Sequence, residues 1–187
     1  DDETGTGYVN EKATGRAILD LENYTLVDNV YIKTITLQRK GNVIIFYYEL
    51  KEAANVTVHH YIKGTTTKVA EDDILTGKVT EGFKANAHQD LDIYKLADGE
   101  PSFVEGTFTL EGQKVIFYYE PVMGKLTVKY VDENGKKLTD EMVSEDQIKK
   151  AYKTSDKSFE NYELVKVIGT EEGYYDVNDT EVVYVYR

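Results

Sequence analysis

One short stretch is written three times in these 187 residues, and it limits what the chain can fold into. It reads Val43-Ile44-Ile45-Phe46-Tyr47-Tyr48-Glu49, then Lys114-Val115-Ile116-Phe117-Tyr118-Tyr119-Glu120, then Glu181-Val182-Val183-Tyr184-Val185-Tyr186-Arg187. β-Branched and aromatic residues crowd each copy, a composition that suits a half-buried strand and disfavours a helix. Counting back from the closing tyrosines extends the match. Tyr119 and Tyr186 each follow a glycine thirteen positions earlier, Gly106 and Gly173, with Phe108 and Tyr175 two residues beyond it. Tyr48 has Leu37 at the position of Phe108, and Ile35 where the other copies have glycine. Further back lie Tyr24-Thr25-Leu26, Tyr94-Lys95-Leu96 and Tyr162-Glu163-Leu164. From Tyr48 to Tyr119 is 71 residues, and from Tyr119 to Tyr186 is 67. The chain is an array with a period near 70.

That period divides the chain into three expected units, 1–50, 55–121 and 125–187, each with its own small core. Repeat 2 opens on Val56-Thr57-Val58-His59-His60-Tyr61-Ile62, and repeat 3 on Leu126-Thr127-Val128-Lys129-Tyr130-Val131-Asp132. Repeat 1 matches only from Thr6-Gly7-Tyr8-Val9-Asn10-Glu11, the counterpart of Thr76-Gly77-Lys78-Val79-Thr80-Glu81. It has no opening strand ahead of that match. Either its first hairpin has been lost or the unit folds differently, and truncation or a shortened capping variant is the leading expectation. Asp132-Glu133-Asn134-Gly135 is a hairpin signal, because Asn-Gly tolerates the positive φ of tight turns. Val79 and Phe83 stand four apart, as do Ile148 and Tyr152, which predicts one short helix in each repeat. Ser144-Glu145-Asp146-Gln147 has the form of a capping box for the helix of repeat 3. The linkers Lys51-Glu52-Ala53-Ala54 and Val122-Met123-Gly124 are short, so neighbouring units are expected to form an elongated rod.

Composition removes several classes of function. With 22 basic and 34 acidic residues the net charge is −12. A chain of that sign does not neutralise phosphates, so no nucleic-acid partner is expected. It is equally unsuited to an anionic membrane surface. No apolar run approaches the roughly 20 residues of a membrane span, so no membrane insertion is expected. There is no cysteine, hence no disulfide, thiolate nucleophile or zinc–thiolate site. Asp1-Asp2-Glu3-Thr4-Gly5 is not a signal peptide, and Asp1-Asp2-Glu3 reads as a solvated end of an internal fragment.

The frame V-T-V-x-Y-x-D-x-N-G, a central Tyr-x-Leu, Gly-x-Phe/Tyr and V-x-Y-x-Y resembles the mucin-binding-protein repeat, MucBP. Repeat 3 carries it best, through Leu126–Gly135, Tyr162-Glu163-Leu164, Gly173-Tyr174-Tyr175 and Val182–Tyr186. Repeat 2 carries it throughout, with Ile62-Lys63-Gly64-Thr65 in place of the Asp-x-Asn-Gly turn. The resemblance implies a mostly β (α+β) chain of tandem ubiquitin-like β-grasp repeats, each a small mixed sheet with one short helix. It implies a secreted, cell-wall-associated Gram-positive surface protein. This chain would be a monomeric fragment of it, with host mucin or another glycoprotein as partner.

Candidate sites are few. Along a strand His59 and His60 point to opposite faces, so they cannot share an ion from one face. His60 aligns with Tyr130, a packing position, and His88 lies in a polar segment. Counted as a calcium loop from Asp132, the twelfth position is Val143 rather than glutamate. The acidic cluster Glu71-Asp72-Asp73 also invites calcium, but no calcium site is expected there. No metal and no cofactor are expected. A nucleophile elbow and a phosphate-cradling glycine loop are both lacking, so no catalytic residue is expected and the chain reads as a non-enzyme. The ligand-binding residues are unknown at this stage. The sixteen tyrosines are the remaining clue. The doublets Tyr47-Tyr48, Tyr118-Tyr119 and Tyr174-Tyr175 each place one ring on either face of a strand, and an outward ring can stack on a sugar. Non-catalytic adhesion to mucin is the leading expectation. A structural spacer that projects a binding domain from the cell wall is the alternative.

Overall fold

The computed structural model describes residues 2–187; Asp1, part of the acidic N-terminal stretch, lies outside the described residues. Those residues form sixteen strands and no helix. They divide into two compact units, 2–58 with 73–85 and 103–115, and 59–72 with 86–102 and 116–187.

In the first unit, β1 (Lys12–Arg16) pairs antiparallel with β3 (Ile32–Thr36), and β2 (Tyr24–Leu26) with β4 (Tyr48–Leu50). The early part of β5 (Val56–Ile62) pairs antiparallel with β6 (Asp73–Leu75). β7 (Gly82–Asn86) forms a ribbon with β9 (Phe103–Thr107). In the second unit, the end of β10 (Gln113–Pro121) pairs antiparallel with β8 (Tyr94–Leu96). β5 and β10 are neighbours in one sheet. A second four-stranded sheet runs β12 (Met142–Gln147), β11 (Met123–Asp132), β16 (Thr180–Tyr186) and β14 (Leu164–Ile168). In it β11 and β16 are parallel, from Leu126 opposite Thr180 to Asp132 opposite Tyr186. β13 (Ala151–Lys153) and β15 (Glu172–Tyr174) form the last ribbon.

The alternation in sequence becomes alternation in burial. Along β11 Leu126, Val128 and Tyr130 face inward, and along β16 Val182, Tyr184 and Tyr186 meet them. The Tyr130 and Tyr184 rings stack at 5.2 Å, and Phe159 packs edge-on against Tyr186. Tyrosine rather than phenylalanine fills this core because each hydroxyl finds a partner at its edge. Tyr130 donates to the Ser155 carbonyl at 2.9 Å, and Tyr186 to the Lys157 carbonyl at 2.8 Å. Tyr184 lies 2.8 Å from the Thr154 hydroxyl and 3.0 Å from Glu171 Oε1.

The same device recurs in every repeat. The closing tyrosine accepts a backbone N–H from a segment that lies outside the strands. Ile18 donates to Tyr48 at 2.8 Å, His88 to Tyr119 at 2.8 Å and Lys157 to Tyr186 at 3.0 Å. This is the physical reason that tyrosine closes all three copies.

The short helix expected in each repeat is absent. Val79 and Ile148 are buried in turns, and the residues after them, Thr80 and Lys149, have φ of 70° and 66°. Asn10, their counterpart in repeat 1, has φ 72°. A left-handed residue ends any right-handed helix at once. The spacing of four therefore comes from a turn that leads into a strand. Each turn is fixed by the Gly-x-Phe segment of its own repeat: Asn10, Thr80 and Lys149 donate their N–H to the carbonyls of Leu37, Phe108 and Tyr175 at 2.9, 3.0 and 2.8 Å. The supposed capping box, Ser144–Gln147, lies in β12, where Ser144 Oγ is 2.9 Å from the Tyr175 hydroxyl.

Both linkers are tied to the repeat that follows. Val79 N–H donates to the Lys51 carbonyl at 3.0 Å, and Ile148 N–H to the Val122 carbonyl at 2.9 Å.

Candidate functional site

The structure gives the ribbon of repeat 3 an aromatic surface. Register places Ala151 opposite Tyr174, Tyr152 opposite Gly173 and Lys153 opposite Glu172. A methyl group on Gly173 would come within 2.8 Å of the Tyr152 hydroxyl, so the glycine is needed for that ring to lie across the ribbon. Tyr152 is held by its own bond to the Thr170 carbonyl at 3.1 Å and by edge contact with Tyr175 at 5.7 Å. Next to it Tyr174 is 69% exposed, while Tyr175 is buried. The result is an open groove of about 500 Å³ or slightly less, ≈ 470 Å³, lined by Ala151, Tyr152, Lys153, Glu172, Gly173 and Tyr174. Lys153 is hydrogen-bonded to Glu172, which holds the ammonium above its ordinary range. Two phenol rings beside a charged pair provide apolar faces and polar edges together, the chemistry that grips a sugar ring.

Among the described residues, repeats 1 and 2 lack the outward ring of this surface. Thr107 and Thr36 stand where Tyr174 does. Repeat 2 keeps the ring-over-glycine packing, with Phe83 across Gly106, and sets Lys84 Nζ 3.8 Å from the centre of the Phe103 ring. Repeat 1 exchanges large and small. Ala13 lies opposite Ile35, a small residue facing a large one, the reverse of Phe83 across Gly106 in repeat 2.

The other doublets divide as the strand period requires. Tyr119 is fully buried and Tyr118 half-buried; Tyr47 is 62% exposed and Tyr48 half-buried. A second shallow groove, of ≈ 500 Å³, is lined by Lys95, Glu120, Pro121, Val122 and Met123. There Lys95 and Glu120 pair at 2.8 Å, which raises the lysine and lowers the carboxyl group.

The histidines separate as expected for a strand, and then do something the sequence does not disclose. His59 Nδ1 lies 3.1 Å from Asp72 Oδ1, and Lys68 binds the other carboxylate oxygen at 2.9 Å. Lys68 first, and His59 second, hold the Asp72 carboxyl below its ordinary range. His60 is completely buried, with Nδ1 2.9 Å from the Tyr119 hydroxyl, and its ring stacks on His88 at 4.0 Å. His88 sits in a segment without strand pattern, so only the tertiary fold could reveal this stack. Asp132 uses one carboxylate oxygen to accept the N–H groups of Asn134 and Lys136, both at 2.9 Å, in the expected hairpin turn. Among the described residues no helix is long and apolar enough to cross a membrane.

The MucBP domain model matches residues 55–120 and 125–187, well over half of the chain. The chain belongs to the MucBP family. Internalin J of Listeria monocytogenes serotype 4b (strain F2365) is 28% identical over 190 residues, covering 98% of this chain and 20% of its own length. Internalin I of the same strain is 32% identical over 127 residues, covering 65% of this chain and 7% of its own length. This MucBP chain thus spans at most a fifth of the length of these relatives. Among solved structures, Mub-RV aligns at 15% identity with a TM-score of 0.28, over 72% of this chain and 99% of its own. The type 2 repeat of the mucus binding protein MUB from Lactobacillus reuteri aligns at 13% identity, also with a TM-score of 0.28, over 72% and 98%.

Proposed function

We propose that this chain is a stretch of tandem MucBP repeats, 1–50, 55–121 and 125–187, that acts as a non-catalytic, extracellular adhesion module for mucin-type glycoprotein. Family membership supports the class of function. The exposed Tyr174 beside Tyr152 and the Lys153–Glu172 pair is the observation that supports a glycan contact at a particular place. Its parent would be a wall-associated surface protein of a Gram-positive bacterium, in keeping with the internalin relatives. Parallel pairing of β11 with β16 supports a β-grasp-like core in repeat 3, with a turn and a strand where a helix was expected.

The net charge of −12 opposes long-range attraction to acidic glycans, so contact relies on local stacking and hydrogen bonds, or on neutral sugars. Single contacts of this kind are weak and gain strength by repetition along a multivalent ligand. The test is a titration of the chain with neutral mucin oligosaccharides, followed by chemical shifts of Tyr152 and Tyr174. Saturating shifts at both rings, absent in Tyr174→Ala, are expected. Shifts confined to other residues, or no shifts, contradict the assignment of this surface.

A specific observation also favours the spacer reading. Both linkers are fixed to the next repeat by equivalent backbone bonds, from Val79 to Lys51 and from Ile148 to Val122. A projecting stalk needs such junctions, and an adhesive array can use them as well.

A further inference from the structure

At three places repeat 2 carries histidine or aspartate where repeat 3 carries a packing residue. His60 lies in β5 where β11 has Tyr130. Asp73 pairs with Val58 across β6 and β5, as Met142 pairs with Val128 across β12 and β11. His88 donates its N–H to Tyr119 as Lys157 does to Tyr186, which makes His88 and Lys157 counterparts; repeat 1 has Ile18 there. In repeat 3 two of these positions make a packing contact, with Lys157 Nζ 4.6 Å from the centre of the Tyr130 ring. In repeat 2 the His88 ring stacks on His60 at 4.0 Å instead. The donor atoms of His60, Asp73 and His88 all lie within 4.8 Å of one another. Packing alone gives no reason to exchange methionine for aspartate beside two imidazoles. Two imidazoles and a carboxylate are a donor set for a divalent transition metal.

We propose that His60, Asp73 and His88 of repeat 2 form a binding site for a divalent transition-metal ion of the zinc class. His60 contributes Nε2, because its Nδ1 lies 2.9 Å from the Tyr119 hydroxyl. With the ion bound, Nδ1–H donates to the Tyr119 oxygen, the outer-shell contact that fixes the tautomer and orientation of a metal-bound imidazole. The same oxygen accepts the His88 N–H at 2.8 Å, so one tyrosine positions both histidine ligands. His60 is completely buried, whereas Asp73 and His88 are half-buried and give the ion its entry. Donors around a tetrahedral zinc stand roughly 3.3 Å apart, a spacing that rotation of the two half-buried side chains reaches, with water at the fourth position. His59 takes no part, since it lies on the other face of β5, 3.1 Å from Asp72. The opposed directions of His59 and His60 rule out an ion shared by those two, but not one that His60 holds with residues from other segments. Bound there, the ion fastens the segment of His88 to β5, the role that Lys157 over Tyr130 has in repeat 3.

The test is a calorimetric titration of the complete chain, first stripped with a chelator, using zinc chloride and, separately, calcium chloride. One zinc per chain is expected, with calcium binding about tenfold more weakly or less, since calcium takes an all-oxygen shell. The ring signals of His60 and His88 should shift to saturation while those of His59 stay in place. Asp73→Met and His88→Lys each install the residue that repeat 3 carries and leave the backbone bond to Tyr119 intact. Each should weaken zinc by about a hundredfold or more, beyond the loss typical of an outer-shell partner. No saturable zinc binding up to ~1 mM overturns the proposal. Zinc that shifts His59 rather than His60 and His88 overturns it too, as does calcium binding as tight as zinc. Equal zinc binding by the two variants would mean loose association with surface carboxylates, and also overturns it. Should a variant fail to fold, the ring signals of the unaltered chain still decide. No step depends on mucin, so a failure of adhesion would leave the result standing.

Discussion

At the scale of single residues, the tyrosines hold the fold and one of them marks its surface. The closing tyrosine of each repeat accepts a backbone N–H, at Ile18, His88 and Lys157. Tyr186→Phe keeps the ring but leaves the Lys157 N–H without its acceptor, and should cost about 1–3 kcal/mol. Thermal unfolding of the variant measures this; an unchanged melting temperature would mean that water replaces the hydroxyl. The pairing of ring and glycine makes a second residue-scale prediction. Gly106→Ile should disrupt the β7–β9 ribbon, because Phe83 already occupies the space where a Cβ would go, at 2.5 Å. Adding Phe83→Ala recreates the Ala13–Ile35 arrangement of repeat 1 and should recover part of the loss. A double-mutant cycle showing no coupling between the two sites would refute size compensation.

At the scale of elements, strands were legible and the link between them was not. The alternation of Val56–Ile62 and of Leu126–Asp132 announces β5 and β11, and Asp132-Glu133-Asn134-Gly135 announces their kind of turn. The spacing from Val79 to Phe83 misleads, because a helix and a left-handed turn followed by a strand both separate two inward residues by four. Only the hydrogen bonds from Thr80 and Lys149 to the Gly-x-Phe segment decide between them, and these join residues far apart in sequence. His88 was illegible for the same reason, since its stacking partner His60 is remote in the chain. Titration provides tests at this scale. Burial raises the phenol of Tyr130 above its ordinary value, and burial likewise leads the rise at Tyr184. A raised folded value means that the stabilising contribution is complete below about pH 10 and is lost as pH climbs through the folded value. Repeat 3 should therefore unfold in alkali with its phenols ionising in the same step. Ionisation near pH 10 without unfolding would show that these rings are open to solvent. Asp72 has the opposite sign. Its carboxyl is lowered by Lys68 and then by His59, so its contribution is present above about pH 4 and fades as pH falls further. Exchange at the hairpin of residues 59–72 should accelerate below that pH, and more in Asp72→Asn at neutral pH than at pH 3.

At the scale of the whole molecule, the period of the closing strand was enough to recognise the family, because packing positions repeat and can be aligned. The aromatic surface of repeat 3 was only half legible. The doublet Tyr174-Tyr175 says that one ring faces outward, but the groove depends on Tyr152 crossing Gly173 from a strand twenty residues away. The most direct measurement is binding of the whole chain to immobilised mucin, before and after enzymatic removal of sialic acid, across a salt series. Saturable binding that resists competition by unrelated protein, and strengthens once the acidic sugars are removed, is the expected result for an acidic module that recognises glycans by local contact. The absence of saturable binding by the folded chain, with and without sialic acid, would contradict mucin adhesion and leave a spacer.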